Sequence, residues 1–227
     1  MNDKEKRVLD MFRRTRGYGS EHATLTTEGS LSHDLFNTID SVINELEEHS
    51  TVEWEGRGTA RQGTVSKAVA RAAILEDLGI LRRTARTMDS IEPGLEEKFR
   101  VPYNGSDEEL LIAARAALNA ARPYKAEFIR REVREQLFED LEANIAAFEE
   151  ALAGQHTGKG ASRAAGASID SAIDRGLDAV RQLDPIVRNK FQNNPAALAA
   201  WLSAKRVERA PRRNHTATPP PPQTSNT

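Results

Sequence analysis

Cysteine is absent from all 227 residues, and that one absence excludes disulfides, thiolate metal ligands and a cysteine nucleophile together. Aromatics are scarce at 5% of the chain, with two Trp, three Tyr and seven Phe, so each large ring invites a specific explanation. No apolar run approaches the roughly 20 residues that cross a bilayer, and no signal-length apolar run follows the start "MNDKEKRVLDMFRRTRGYG". The expectation is a cytoplasmic chain without a membrane partner. Lys and Arg number 32 against 34 Asp and Glu, a formal charge of −2 that gives no global pull toward nucleic acid. Alternating β-branched and aromatic stretches are also missing, which removes the usual signal for strands.

What is present is helical spacing. Leu35, Phe36, Ile39, Val42, Ile43 and Leu46 share one helical face behind the cap candidates Ser30 and Ser32. A second segment, about 64 to 88, carries Val65, Val69, Leu75, Leu78, Leu81 and Ala85 with arginines outside. Ser106 caps another, which Pro123 ends or kinks because it lacks an amide donor. Leu137, Phe138, Leu141, Ile145, Phe148 and Leu152 mark a further helix. The last long segment runs from about Ser162 to Leu183, with a break or kink expected at Asp184-Pro185. After it, "NPAALAAW" places Asn194 as a cap and Pro195 at the first helical position.

Sliding the chain by 102 residues aligns 35–88 with 137–190 without a gap. Identities include Leu35/Leu137, Phe36/Phe138, Ile43/Ile145, Glu47/Glu149, Gly56/Gly158, Gly58/Gly160, Arg61/Arg163 and Leu81/Leu183. The same offset pairs Arg13 with Arg115, "GRG" with "GKG", and the Pro-to-aromatic segments that end in Phe99 and Trp201. The reading is an all-α, internally duplicated bundle with repeat units of about 8–99 and 110–201. Two αα-hairpins turn at the Gly-basic-Gly segments and pack as a four-helix core, with flanking and short capping helices around it. One domain spans 1–205, and Phe99 and Trp201 are buried plugs. Residues 206–227, basic and then polyproline, form a disordered tail.

Catalytic patterns are missing. No Glu-x-x-His, His pair at helical spacing or Gly-x-Ser-x-Gly elbow occurs, and His22, His33, His49, His156 and His215 are scattered. No catalytic residue, metal ligand or cofactor is assigned, and no enzyme activity is expected. "GRGTAR" and "GKGASR" make Arg57, Arg61, Lys159 and Arg163 a candidate anion site, on the idea that glycine amides at a helix start face a phosphate. Lys205, Arg206, Arg209, Arg212 and Arg213 are the candidate polyanion contact, opposite a basic start that holds Lys4, Lys6, Arg7, Arg13, Arg14 and Arg16.

The elements "RTARTMDSIEPGLEEKFRVP", "VRNKF" and "VERAP" resemble those of a group of all-helical bacterial proteins without an assigned activity, over most of 1–211. The resemblance implies a shared fold and carries no site. The functional expectation is a non-enzymatic helical interaction or structural protein with a protein partner. The alternative is a module that binds nucleic acid or another polyanion through its basic ends.

Overall fold

A computed structural model describes residues 1–88, 93–101 and 105–209. Among these residues every regular element is helical. Helix α1 is Asp3–Glu21, α2 Leu31–Arg86, α3 Asp107–Ala121, α4 Lys125–Arg130, α5 Leu137–Lys190 and α6 Pro195–Ala204. A 3₁₀ turn, Leu95–Phe99, ends in the expected aromatic. Residues 210–227, with Arg212, Arg213, His215 and most of the expected tail, lie outside the described residues.

Local chemistry sets the starts. Asn2 and Glu5 form a reciprocal capping box on α1, as Ser106 and Glu109 do on α3, so both helices satisfy amides that would otherwise lack acceptors. Asn194 accepts the amide of Ala197 at 3.1 Å and Pro195 opens α6, as its missing amide donor permits. Helix α3 stops two residues before Pro123.

One expectation fails in the long helices. Neither Gly-basic-Gly segment is a turn: α2 runs through Gly56 and Gly58, and α5 through Gly158 and Gly160. The two αα-hairpins therefore do not form, and four expected helices are two. Pro185 sits inside α5 without ending it. It is exposed, so the carbonyl of Arg181, which Pro185 cannot serve, faces water, and the helix ends only five residues later.

The chain packs as two compact units: residues 1–48 with 168–209, and residues 49–167. In the first, Phe12, Ile39, Ile43, Leu46, Leu183 and Trp201 belong to one buried cluster. Trp201 is fully buried, with Tyr18 5.3 Å from it between ring centres, and the Tyr18 hydroxyl donates to the carbonyl of Ala197 at 3.2 Å. In the second, Ile74, Leu78, Leu118, Leu141 and Phe148 are buried together, and Phe99 meets Phe128 edge-on at 5.8 Å. Arg82 and Arg86 both hold Glu96, tying the 3₁₀ turn to the end of α2. Arg86 draws the Glu96 carboxyl down to about 2.

Asp77, like Glu53 and Gln155, is a polar residue buried in the second unit. The Asn144 amide donates to its carboxylate at 2.9 Å. Burial pushes its carboxyl above the ordinary aspartate range, against the pull of that hydrogen bond.

Two stability tests follow from these cores. Trp201→Ala and Phe99→Ala should each cost about 3 to 5 kcal/mol in denaturant melts, the range for truncating a buried large ring; a cost below about 1 kcal/mol would mean the rings are not plugs. For Asp77 the folded state holds its proton more tightly than the unfolded chain, so stability is lost as pH rises through the raised carboxyl value. Asp77→Asn, which stays neutral, should raise the denaturant midpoint at pH 7. The gain should vanish as the medium is acidified through the carboxylate range, and a gain that persists in acid would contradict the charge explanation.

Candidate functional site

The two Gly-basic-Gly segments lie within the second unit. A Cβ on Gly158 would fall 2.5 Å from the amide nitrogen of Ala60 and 2.6 Å from the carbonyl oxygen of Gly56. A Cβ on Gly56 would fall 2.8 Å from the Ser162 amide nitrogen and 2.9 Å from the Gly158 oxygen. These glycines let one helix backbone rest on the other, which is the use of a residue without a Cβ at a close approach. Gly63 lies against Ala151 and Gln155, so numbers rise along α2 as they fall along α5, and the crossing is antiparallel. Gly58 and Gly160 face open space.

This placement changes the anion reading. The amides of both segments lie within continuous helices, so no helix start presents them to a phosphate. The four side chains survive as a group: Arg57, Arg61, Lys159 and Arg163 are all exposed beside the crossing. Arg57 is paired with Glu53, itself buried. Among the described residues no carboxylate lies within ion-pair distance of Arg61, Lys159 or Arg163.

On another flank of the same helix pair a groove of about 370 Å³ is lined by Thr59, Gln62, Gly63, Ser66, Glu150 and Gly154. Its hydroxyls and amide can take hydrogen bonds, and Glu150 is its one carboxylate. Gln155, buried close by, donates to the Thr64 hydroxyl at 2.6 Å.

The basic ends do meet, inside the first unit. Arg14 donates to the carbonyl of Arg206 at 2.5 Å and pairs with Glu208 at 3.5 Å. Much of their charge is already balanced. Lys205 sits 2.6 Å from Asp184, Arg13 2.7 Å from Glu47 and Arg16 3.7 Å from Asp40. Asp184 also accepts the Trp201 indole N–H at 2.8 Å and Arg188 at 3.0 Å. Burial pushes the Asp184 carboxyl up, but the bonds from Lys205, Trp201 and Arg188 outweigh it and hold the group below its ordinary value. Arg206 and Arg209 are exposed. Among the described residues no group of three His, Cys, Asp or Glu is placed to hold a metal ion, and no helix is long and apolar enough to cross a membrane.

The feature missed from sequence is on α2. Val65 and Val69, expected in the core, are 66% and 67% exposed, and Leu75 is partly exposed. The buried face is Ala70, Ile74, Leu78, Leu81 and Ala85. Ala68 and Ala72 are exposed with the two valines, so 65, 68, 69 and 72 form an apolar stripe at i, i+3, i+4 and i+7. A helical wheel that sets this stripe against Gly56, Ala60 and Gly63 would have placed it outward.

No family model, curated protein or solved structure matches the chain.

Proposed function

We propose that the chain is an internally duplicated, non-enzymatic interaction protein whose outward α2 stripe docks the apolar face of an amphipathic helix from a protein partner. The observation that carries this reading is the exposure of Val65, Ala68, Val69 and Ala72 on one helical face. That spacing is the one by which helices seat in apolar grooves and on one another. Singly exposed apolar residues are ordinary on a surface; four at helical spacing are a patch. The positions 102 residues later hold Ala167, Asp170, Ser171 and Asp174, so the stripe is not a shared property of the two halves.

Duplication is supported by contacts that recur at the same offset. Arg13 pairs with Glu47 and Arg115 with Glu149. Gly56 and Gly158 meet each other, with Ser162 and Ala60 in matching roles. Phe99 and Trp201 are both buried, as are Glu53 and Gln155. On this reading each compact unit takes segments from both copies, since 1–48 belongs to the first and 168–201 to the second. The second reading, polyanion contact through the basic ends, is supported by the meeting of Arg14 with Arg206.

Capture from native lysate, with nuclease treatment, tests the docking surface when wild type is compared with Val65→Asp/Val69→Asp. Wild type should retain proteins whether or not nuclease is added, and the variant should lose them. Its melting should change by less than about 0.5 kcal/mol, because both side chains are exposed. Equal retention by wild type and variant would reject the stripe as the docking surface, and retention abolished by nuclease would favour the second reading.

A further inference from the structure

The α2–α5 crossing gives the four unassigned cations a common direction. Each α-helical residue turns about 100° from the one before. Arg57 and Arg61 directly follow the contact residues Gly56 and Ala60, while Lys159 and Arg163 directly follow Gly158 and Ser162. In two antiparallel right-handed helices that step leads to the same side of the pair. All four basic residues therefore emerge on one flank. Trp54 and His156, three residues before Arg57 and Lys159, stand about 60° further from the seam, at the two outer edges of that flank.

The register of the crossing then sets the rungs. Gly56 lies between Gly158 and Ser162, and Gly63 lies beside Ala151 and Gln155. Arg57 is thus level with Lys159, Trp54 with Arg163, and Arg61 with His156. The sequence of rungs is aromatic with basic, basic with basic, and basic with aromatic. It spans seven residues of α2, about 10 Å at ~1.5 Å per residue. All six residues are exposed. Trp54 is 73% exposed, whereas the chain's other tryptophan, Trp201, is fully buried.

We propose that this flank binds single-stranded nucleic acid. The Arg57–Lys159 rung takes a backbone phosphate, and Trp54 and His156 are stacking platforms for bases on either side, each beside an arginine. The ~10 Å of the flank spans a central phosphate and the base on either side of it. A plain polyanion would use the cations and leave the indole idle; a strand with unstacked bases uses both. The surface adjoins the apolar stripe, Val65 lying one turn beyond Arg61, but none of the residues substituted in its test is Val65 or Val69.

The test titrates the full chain with oligothymidylate. Only Trp54 is exposed, so quenching of the solvent-accessible tryptophan emission reports this flank. Binding should weaken by about 20-fold between about 50 and 200 mM salt, the dependence for three phosphate contacts on a single strand, one at the central rung and one at each outer arginine. Arg61→Gln/Lys159→Gln/Arg163→Gln leaves the Arg57–Glu53 pair intact and should bind at least about tenfold more weakly, with a flatter salt dependence. Trp54→Ala, read by anisotropy of a labelled oligonucleotide, should lose about tenfold, while Lys205→Gln/Arg206→Gln/Arg209→Gln should bind as wild type. Circular dichroism checks that each variant is folded; if the triple glutamine variant is not, quenching and Trp54→Ala decide. No salt-sensitive binding overturns the proposal, as does binding kept by the triple variant or lost with the 205–209 cations instead. So does a Trp54→Ala chain that binds the oligonucleotide as wild type, or a wild type that prefers heparin; either would leave a charge patch without base recognition.

Discussion

Two helix backbones touch at Gly56 and Gly158, where neither chain has room for a Cβ. The register of the second unit depends on that contact. With the backbones in contact, Ala60, Gly63, Ala151 and Gln155 fall into the seam. Residues one step beyond the seam are turned to a common flank. Val65 and Val69, most of a half-turn away, have nowhere to go but solvent. The hydroxyl-lined groove lies on one flank of the helix pair and the basic residues on the other, where the apolar stripe continues their row along α2, Val65 one turn beyond Arg61.

Each unit's core is apolar, with a few polar groups in defined roles. Asp184 gathers an indole N–H, a lysine and an arginine, and so fixes α6 to the end of α5. Its depressed carboxyl value means that this tie is present at neutral pH and is lost as the medium turns acid through that value. Asp77 has the opposite sign: burial with a single amide partner works against its ionised form. At the two positions related to Asp77 and Asn144 by the 102-residue offset stand Ala179 and Val42, both buried. The Asp77–Asn144 pair thus has no polar counterpart at that offset. Such a pair costs stability and favours a single register, since a slipped helix would leave Asp77 buried without its partner.

Much of the local structure was legible from residue types. Ser106, Asn194 and Pro195 act where capping chemistry puts them, and Phe99 and Trp201 are buried as large rings in an aromatic-poor chain should be. The Gly-basic-Gly segments were misread because glycine serves both a tight turn and a close approach, and only the partner backbone separates these uses. Pro185, where residue type points to a break or kink, does not end its helix, since the carbonyl it leaves unserved is on the exposed side. Val65 and Val69 fit a helical apolar pattern that was assigned to the core, when that segment carries two apolar faces and only the one with Ala70, Ile74 and Leu78 is buried. The basic flank could not be read from one chain segment, since its members lie about 100 residues apart and meet through the crossing.

Four alanine substitutions measure the crossing most directly. Alanine exceeds glycine by about 1 kcal/mol in an unconstrained helix interior, so Gly58→Ala and Gly160→Ala, which face open space, should raise the denaturant midpoint. Gly56→Ala and Gly158→Ala gain the same propensity, but each drives a methyl into the opposing backbone, and overpacking of that kind costs about 1 to 3 kcal/mol. Their midpoints should fall below those of the first pair and, for Gly158→Ala with its closer contacts, below wild type. Four midpoints that all rise together would show that no backbone rests against either glycine, and the crossing would have to be abandoned.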